Sequence, residues 1–453
     1  MTKTVPDSKK NFMQLTAEEA ASFPEFLLNL ANEFGPAVQY GFGPNQFVLI
    51  SDPAMVQEVI VKKYKLFPKA GRNVNRLFDF FGEQGLVGIV GDEHKRMRKM
   101  SQPAFHHRMI GTYGEAMVNL TERVIAGWQD GEMRDISRDI AELTLYIVSE
   151  TLFGADVDAV ADDVNTVYDA MRVMQDGMDK TKEREWESAE NTVARRQQNW
   201  RNAQQSLDTL ISRILNERRA NPNPEDTSLL ARLMAERDDD GNAMTEVELA
   251  DQLRTLFISG QESVAGGIVW TFYLISQHPE LEQQLLDELN RVVGNRRLTV
   301  HDIKDMPLME RVIKESMRVF PPAWTLASRV ALQDTTVGRF AIPEGTLVLM
   351  SPFVLHRKAD IFPDPLRFDP DRFLPENEAA LHRFAYMPFG GGARICIGNT
   401  FTMMEMHLIV ATVLQDYHLR VDDGQEIELQ AQVTMANKTG MHMHLTKRSI
   451  KTV

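Results

Sequence analysis

One uninterrupted helical pattern, far longer than an average helix, sets the class of this fold. It starts at Thr245 and Glu248, which form the Thr-x-x-Glu capping box of a helix N-terminus, and it closes at His278-Pro279. Roughly 33 residues at 1.5 Å each make about 50 Å, so this helix must cross a whole domain. Its middle, residues 257–267, carries three glycines, although each costs about 0.5–1 kcal/mol relative to alanine. We therefore expect a close backbone approach or a local distortion there.

The rest of the chain is mostly helical with minor β structure. Helical spacing covers residues 23–34, nearly all of 93–293, and 309–319, whereas short β patterns occur in 38–50, 330–348 and 426–446. The strand–helix alternation of a doubly wound α/β protein is missing. We predict a single domain over residues 1–453. Its β-containing parts are 1–90, 320–390 and 418–453, and its mainly helical parts are 91–320 and 397–417.

Composition narrows the possible partners and locations. The 453 residues carry a net charge of −14, from 64 acidic and 50 basic residues, which argues against nucleic-acid binding. No apolar run approaches the ~18 residues of a membrane span, so we expect no membrane anchor and a cytoplasmic monomer. The chain has one cysteine, which excludes an internal disulfide.

That cysteine, Cys396, lies in a glycine-rich stretch, Phe-Gly-Gly-Gly-Ala-Arg-Ile-Cys-Ile-Gly at 389–398, before a helix predicted over 399–417. Glycines let a backbone turn sharply and pass close to a flat ligand. A helix N-terminus just after a cysteine lowers the pKa of its thiol, and Arg394 suits an anionic cofactor group.

Three other interpretations compete on the residues alone. A phosphate-binding loop would need a strand–helix setting and a Walker lysine, which are missing here. A nucleophilic cysteine would need a histidine partner that sequence cannot place. A structural loop with an inert cysteine stays open on spacing alone.

The stretch resembles the haem-binding signature of cytochromes P-450, Phe-Gly-x-Gly-x-Arg-x-Cys-x-Gly. Its fixed positions are occupied by Phe389, Gly390, Gly392, Arg394, Cys396 and Gly398. The resemblance implies a triangular, helix-rich domain with small sheets, and haem b between the long helix and the helix after the cysteine. It makes Cys396 the thiolate ligand of the iron, which favours O–O cleavage, and pairs Arg394 with a haem propionate.

A second resemblance concerns the helix at 309–319. It carries Glu315-Ser-Met-Arg318, similar to the family's Glu-x-x-Arg, and Asp369-Pro-Asp-Arg372-Phe373 looks like the meander that supplies a third member. The implied triad of Glu315, Arg318 and Arg372 is structural. If it is buried, removal of one partner would cost about 3–5 kcal/mol.

The centre of the long helix is similar to the family's oxygen-binding motif, Ala/Gly-Gly-x-Glu/Asp-Thr. Here it reads Ser259-Gly260-Gln261-Glu262-Ser263. The resemblance implies a catalytic turn at Gly260, with Glu262 and Ser263 relaying protons to bound dioxygen. Ser259 and Ser263 depart from the usual alanine and threonine; serine keeps the hydroxyl but loses the methyl group that packs it.

Further propionate-binding positions follow from the same resemblance. His94 and Arg98 match the start of the family's C helix, and Arg329 matches a position after the Glu-x-x-Arg helix. Without the resemblance, the basic run at 94–99 would be an ordinary solvated face.

The implied function is insertion of one oxygen atom of O2 into a lipophilic small molecule by hydroxylation or epoxidation. Electrons would come from an external acidic ferredoxin or flavodoxin, docking on a basic patch of Lys95, Arg96, Arg98, Lys99 and Arg108. The predicted substrate pocket consists of Phe78, Phe81, Leu86, Val87, Phe257, Ser259, Ala323, Trp324, Leu326 and Met435.

This pocket set contains no arginine that could hold a carboxylate, which favours a terpene-like substrate over a fatty acid. The alternatives are a peroxide-driven peroxygenase and a non-catalytic haem sensor. Neither needs the Glu262–Ser263 pair.

Overall fold

The computed structural model describes residues 2–11, 22–42, 45–70, 81–106, 111–155, 168, 170, 171, 173, 190–223 and 226–448. Helices dominate these residues, as the sequence predicted. The α-helices are α1 Phe23–Phe34, α2 Pro53–Gln57, α3 Gly91–Ser101, α4 Gly114–Ile125, α5 Ile136–Ile147, α6 Glu190–Ala220, α7 Leu229–Ala235, α8 Glu246–Ser276, α9 Pro279–Val292, α10 Pro307–Val319, α11 Pro352–Leu355, α12 Pro375–Ala380 and α13 Asn399–Asp416.

Short helical turns and strands complete the description. Two π-helical turns continue α2 and α5, at Glu58–Lys62 and Val148–Leu152. The 3-10 turns are Gln102–Phe105, Gly111–Tyr113, Val300–Asp305, Pro370–Phe373 and Gly392–Arg394. The strands are β1 Asp7–Asn11, β2 Ala37–Phe42, β3 Asn45–Ile50, β4 Met133–Asp135, β5 Arg329–Val330, β6 Thr335–Val337, β7 Phe340–Ile342, β8 Leu347–Met350, β9 Tyr417–Val421, β10 Leu429–Ala431, β11 Met435–Asn437 and β12 His442–Lys447.

The chain divides into two compact units, and the predicted single domain stays a prediction. Unit 1 comprises Met1–Arg76, Lys314–Cys396 and Glu428–Lys438. Its main sheet has the order β1-β2-β3-β8-β5, and β6-β7 and β10-β11 form two separate two-stranded sheets. β8 is buried along its whole length, which fits a strand covered on both faces.

Alternation along β3 builds two cores in unit 1. Leu49 points to the face that α1 covers with Leu27 and Leu30, whereas its neighbour Val48 points to the opposite face, where Val56 of α2 packs. Successive side chains of a strand face opposite sides of the sheet. The apolar run at the end of β3 is therefore needed on both faces.

Unit 2 comprises Leu77–Ile313, Ile397–Ile427 and Thr439–Val453 and is built around α8. α8 packs along α5 and against α13 and α6. Its predicted capping box is present: Thr245 Oγ1 accepts the Glu248 N–H at 3.2 Å, and Glu248 Oε2 accepts the Thr245 N–H at 2.7 Å. The predicted helix over 245–277 is thus confirmed within one residue at each end.

One strand lies in the stretch predicted as mainly helical. β4 pairs with β12, with Arg134 opposite Met443, and β12 also pairs with β9. A three-residue strand is set by this distant pairing, since it has too few residues for an alternating pattern. Among the described helices, none is long and apolar enough to cross a bilayer.

Candidate active site

The cysteine loop of unit 1 is closed by backbone hydrogen bonds. The Cys396 N–H donates to Phe389 O at 3.0 Å, and the Gly390 N–H donates to Met387 O at 3.0 Å. The loop holds the Cys396 side chain exposed. α13 begins three residues further along the chain, after Gly398 as its N-cap. The thiol is therefore accessible for coordination, in a turn that these two hydrogen bonds close.

Gly392 shows why the loop needs its glycines. Its φ is +66°, and a Cβ there would lie 2.2 Å from the carbonyl oxygen of Ile60. Gly390 also has a positive φ, +67°. A side chain at 392 would push the loop away from the turn at Glu58–Lys62, so this position requires glycine for both space and conformation.

A cluster of cations lies in unit 1 near this loop. Arg329 of β5 is 8% exposed, and among the described residues its buried Nε has no hydrogen-bond partner. Lys69 forms a β-bridge with Arg329. Burial, and then the charges of Arg394 and Arg329, lower the pKa of Lys69 to about 7. Arg329 is buried, and Lys69 and Arg394 are half-buried. Like charges that are partly removed from water need an anionic partner, and the carboxylates of haem fit these three side chains.

Lys69 was missed by sequence reasoning. It lies in a lysine-rich stretch, residues 62–69, and such a pattern predicts a solvent-exposed segment. Backbone bonds from the Ala70 N–H to Ser328 O and from the Val330 N–H to Pro68 O bring it beside Arg329. No local pattern signals a pairing across 260 residues.

The structure brings together the predicted triad, all of it in unit 1. Glu315 and Arg318 are fully buried, and Arg318 Nε and Nη2 donate to the two Glu315 oxygens at 2.7 and 2.9 Å. Arg372 Nε lies 3.4 Å from Glu315 Oε1. The Asp369 N–H also donates to Glu315 Oε1, at 2.8 Å. The triad thereby fastens the meander to α10.

The centre of α8 carries the predicted oxygen-binding motif in unit 2. The Ser263 hydroxyl donates to Ser259 O at 2.9 Å, and the Ser259 hydroxyl donates to Thr255 O at 2.6 Å. A Cβ on Gly260 would lie 3.3 Å from Val148 Cγ2, which is the close approach expected there. Ser259 is exposed, while Glu262 and Ser263 are half-buried.

The predicted propionate residues of α3 lie four residues apart on one helix face. His94 is 5% exposed and Arg98 is half-buried. Their partnership with a cofactor stays a prediction.

The positive charge of the predicted docking patch on α3 is partly neutralised by acidic side chains of the same chain. Arg96 donates through Nε to Asp238 and through Nη1 to Glu248, both at 2.6 Å. These hydrogen bonds raise the pKa of Arg96 despite the opposing effect of burial. The more exposed Lys95 and Lys99 pair with Asp92 and Asp239 at the surface. Arg108 lies outside the described residues.

The predicted pocket residues have different surroundings. Phe81 and Leu86 are buried, Val87 is half-buried, and Phe257 stacks on Phe153 with ring centroids 4.3 Å apart. These side chains belong to unit 2. Phe78 lies outside the described residues.

In unit 1, Trp324 and Met435 are buried in the core around α1. The Trp324 indole N–H donates to Gln432 O at 2.9 Å. Ala323 and Leu326 are half-buried, and Leu326 packs beside Gly390. Their roles as pocket residues stay predictions.

Comparisons with known proteins agree with this geometry. Residues 10–444 match the family described as cytochrome P450. Pentalenene oxygenase of Streptomyces avermitilis is 29% identical over 94% of this chain and 93% of its own. Cyclooctatin synthase of Streptomyces melanosporofaciens is 30% identical over 91% of this chain and 88% of its own. Among solved structures, the retinoic acid bound cyanobacterial CYP120A1 matches with a TM-score of 0.85 at 22% identity, over 99% of this chain and 100% of that chain.

The chain therefore belongs to the cytochrome P450 family, whose cofactor is haem, and it has the fold of that family. It is a P450 monooxygenase, as the relatives named oxygenase and monooxygenase also are.

Proposed function

We propose that this monooxygenase inserts one oxygen atom of O2 into a terpene-like lipophilic molecule, by hydroxylation or epoxidation, with haem b as its cofactor. The observation that carries the proposal is the closed loop that exposes Cys396 in the same unit as three cations, Lys69, Arg329 and Arg394. A thiolate and carboxylate-binding cations are the two contacts that an iron porphyrin needs. When bound, haem supplies the activation of O2 and the transfer of an oxygen atom.

The protein's own residues have separate tasks in this proposal. Cys396 Sγ would hold the iron, and the three cations would neutralise the porphyrin carboxylates. Burial strengthens these charge interactions, because water screens them less. His94 and Arg98 are proposed to hold a carboxylate as well.

Proton delivery is assigned to Glu262 and Ser263. The Ser263 hydroxyl donates to Ser259 O, and its own oxygen can still accept a proton donor. We propose that Ser263 Oγ accepts a proton from the Glu262 carboxyl and releases its own hydroxyl proton, leaving its hydrogen bond to Ser259 O, to the O2 that the haem would hold. A threonine would add a methyl group that restricts the side chain, so Ser263→Thr is expected to raise the fraction of consumed electrons that appears in product.

The substrate class rests on two kinds of support. The predicted pocket residues in unit 2 other than Ser259 are apolar, including Phe81, Leu86 and Phe257, and the predicted set contains no arginine for a carboxylate. In addition, relatives that are 29–30% identical have the names pentalenene oxygenase, cyclooctat-9-en-7-ol 5-monooxygenase and cyclooctatin synthase. Both favour a terpene-like hydrocarbon skeleton over a fatty acid.

The electron donor is proposed to be an acidic ferredoxin or flavodoxin that docks on α3. Since Arg96 is held by Asp238 and Glu248, we assign the docking contacts mainly to Lys95 and Lys99. Exposed charges mostly raise association rates, and salt screens them. Lys99→Gln is therefore expected to slow reduction at low salt, with a smaller effect at high salt. Arg420→Gln removes another exposed charge, from β9, and serves as the control; equal rates in the two variants would remove α3 from the docking surface.

The deciding experiment compares wild type with Cys396→Ser. The reduced CO complex of wild type is expected to show the absorption of thiolate ligation, and the variant is expected to lose it. A panel of terpenes and fatty acids is then titrated while the haem spin state is followed; a shift with fatty acids alone would refute the substrate class. Product formation with ferredoxin and reductase, compared with peroxide alone, separates the monooxygenase from the peroxygenase.

A further inference from the structure

Residues 81–86 of unit 2 are fastened to the first half of α8 by buried side chains. Asp251 Oδ2 accepts the Gln84 N–H at 2.9 Å. Gln252 makes two bonds, since its Nε2 donates to Gln84 O at 3.1 Å and its Oε1 accepts the Leu86 N–H at 3.3 Å. Asp251 and Gln252 are 8% and 2% exposed. Both polar groups of the Gln84 backbone are thus satisfied by one helix.

Thr255 adds the bond at the start of this segment. Its hydroxyl donates to Phe81 O at 3.0 Å, and the side chain is 3% exposed. Serine and threonine inside helices often donate instead to the carbonyl four residues earlier, as Ser259 and Ser263 do in the same helix. Thr255 is directed outward from its helix to the neighbouring segment. We call Asp251, Gln252 and Thr255 the loop clamp.

Two glycines show how closely the segment approaches α8. A Cβ on Gly85 would lie 2.2 Å from Thr255 Oγ1, and a Cβ on Gly82, where φ is +82°, would lie 2.4 Å from Asp251 Oδ1. The backbone therefore rests directly on the clamp side chains.

Thr255 of the loop clamp lies on the same ridge of α8 as the proposed proton-delivery residue Ser263. Thr255, Ser259 and Ser263 are spaced by four residues, which places them along one ridge of the helix. Phe81 O accepts from Thr255, Thr255 O accepts from Ser259, and Ser259 O accepts from Ser263. Eight residues span about 12 Å of helix, so three separate hydroxyl-to-carbonyl hydrogen bonds follow this ridge from the segment to Ser263.

We propose that Thr255 is a positioning residue that sets which substrates fit, by holding Phe81 and Leu86 in place against α8. The inference rests on the proposed function, which gives these two side chains to the substrate pocket. Thr255 touches no reacting atom in this assignment. Its hydroxyl fixes the Phe81 carbonyl, and the carbonyl fixes the side chain that meets the substrate.

The test compares Thr255→Val, which keeps the shape but removes the hydroxyl, with Thr255→Ser, which keeps the hydroxyl. Hydrogen exchange of the Gln84 and Leu86 amides is measured by mass spectrometry on the haem-loaded protein. Loss of one buried hydrogen bond changes an equilibrium constant, here that of the local opening that permits exchange, by about tenfold. Thr255→Val is therefore expected to accelerate hydrogen exchange in residues 81–88 by about tenfold. Thr255→Ser is expected to exchange at the rate of wild type.

Selection is measured with two haem-binding probes, imidazole and the bulkier 4-phenylimidazole. Thr255→Val is expected to change the ratio of their dissociation constants by about tenfold, while its haem content stays that of wild type. Thr255→Ser is expected to keep the wild-type ratio. An unchanged ratio would overturn the selection role. A serine variant that behaves like valine would overturn the assignment to the hydroxyl, because serine keeps the hydroxyl. If wild type lacked thiolate ligation, the proposed function would fail, while the exchange rates would still decide whether the clamp holds the segment.

Discussion

The guanidinium of Arg318 offers the sharpest test of the packing in unit 1. Its five N–H groups make five hydrogen bonds: two to Glu315, at 2.7 and 2.9 Å, two from Nη1 to His356 O and Pro365 O, each at 2.8 Å, and one to Arg367 O at 3.2 Å. Arg318 is 0% exposed. The planar fork of arginine matches this arrangement, and the point charge of lysine cannot reproduce it.

The expected cost of Arg318→Lys follows from this count. A lysine ammonium has three N–H groups, so at least two of the five acceptors lose their donor. Each buried unsatisfied group costs about 1–3 kcal/mol, and disruption of a buried ion pair costs about 3–5 kcal/mol. We expect the free energy of unfolding to fall by about 3–5 kcal/mol.

The assay is denaturant unfolding followed by circular dichroism, with retained haem absorption as a second signal. Arg420→Lys is the matched control, because Arg420 also pairs with an acid three residues away, Asp423, but with side chains that are 47% and 85% exposed. An exposed pair is worth about 0–1 kcal/mol. If Arg318→Lys were no less stable than Arg420→Lys, the reasoning from the buried fork would be refuted.

Three further predictions concern unit 1. Burial, reinforced by neighbouring guanidinium charges, lowers the pKa of His356 from 6.5 to about 3. Between these pH values the unfolded chain binds a proton at His356 that the folded chain excludes. The free energy of unfolding should therefore fall as the pH drops from about 6.5 to 3, by up to about 1.4 kcal/mol per pH unit. His356→Gln should flatten this slope, measured by denaturant titrations at several pH values. Gly392→Ala should lower thermal stability and haem content, because its Cβ would lie 2.2 Å from Ile60 O. Lys69→Met should weaken haem retention by about tenfold, measured by transfer of haem to apomyoglobin, because a half-buried cation is removed from the cluster that is proposed to bind the haem carboxylates.

Each of these has a result that contradicts it. An unchanged pH slope in His356→Gln would show that other groups govern acid stability. Gly111→Ala is the control for Gly392, since its Cβ would meet nothing within 4 Å; equal thermal stability of the two variants would remove the steric argument. Lys62, which is exposed, is the control for Lys69, and equal haem transfer from the two methionine variants would exclude Lys69 from the site.

The long helix α8 shows which features of the fold a local sequence pattern can predict. Its capping box and apolar run predicted α8 within one residue at each end, because both signals are carried by neighbouring residues. The glycine at 260 predicted a close approach, yet its partner, Val148, could be identified only from the packing of α8 on the turn after α5. The opposite case is β4, whose three residues become a strand only because β12 lies beside them.

The site divides in the same way. The spacing around Cys396 and the Glu315–Arg318 pair are readable from the sequence, because a loop or a single helix turn brings those residues together. Three features needed the tertiary structure: Lys69 beside Arg329, the pairing of Arg96 with Asp238 and Glu248, and the loop clamp on residues 81–86. Each joins segments at least 140 residues apart in the chain, and such contacts arise when buried polar groups find partners during packing, which no local sequence pattern records.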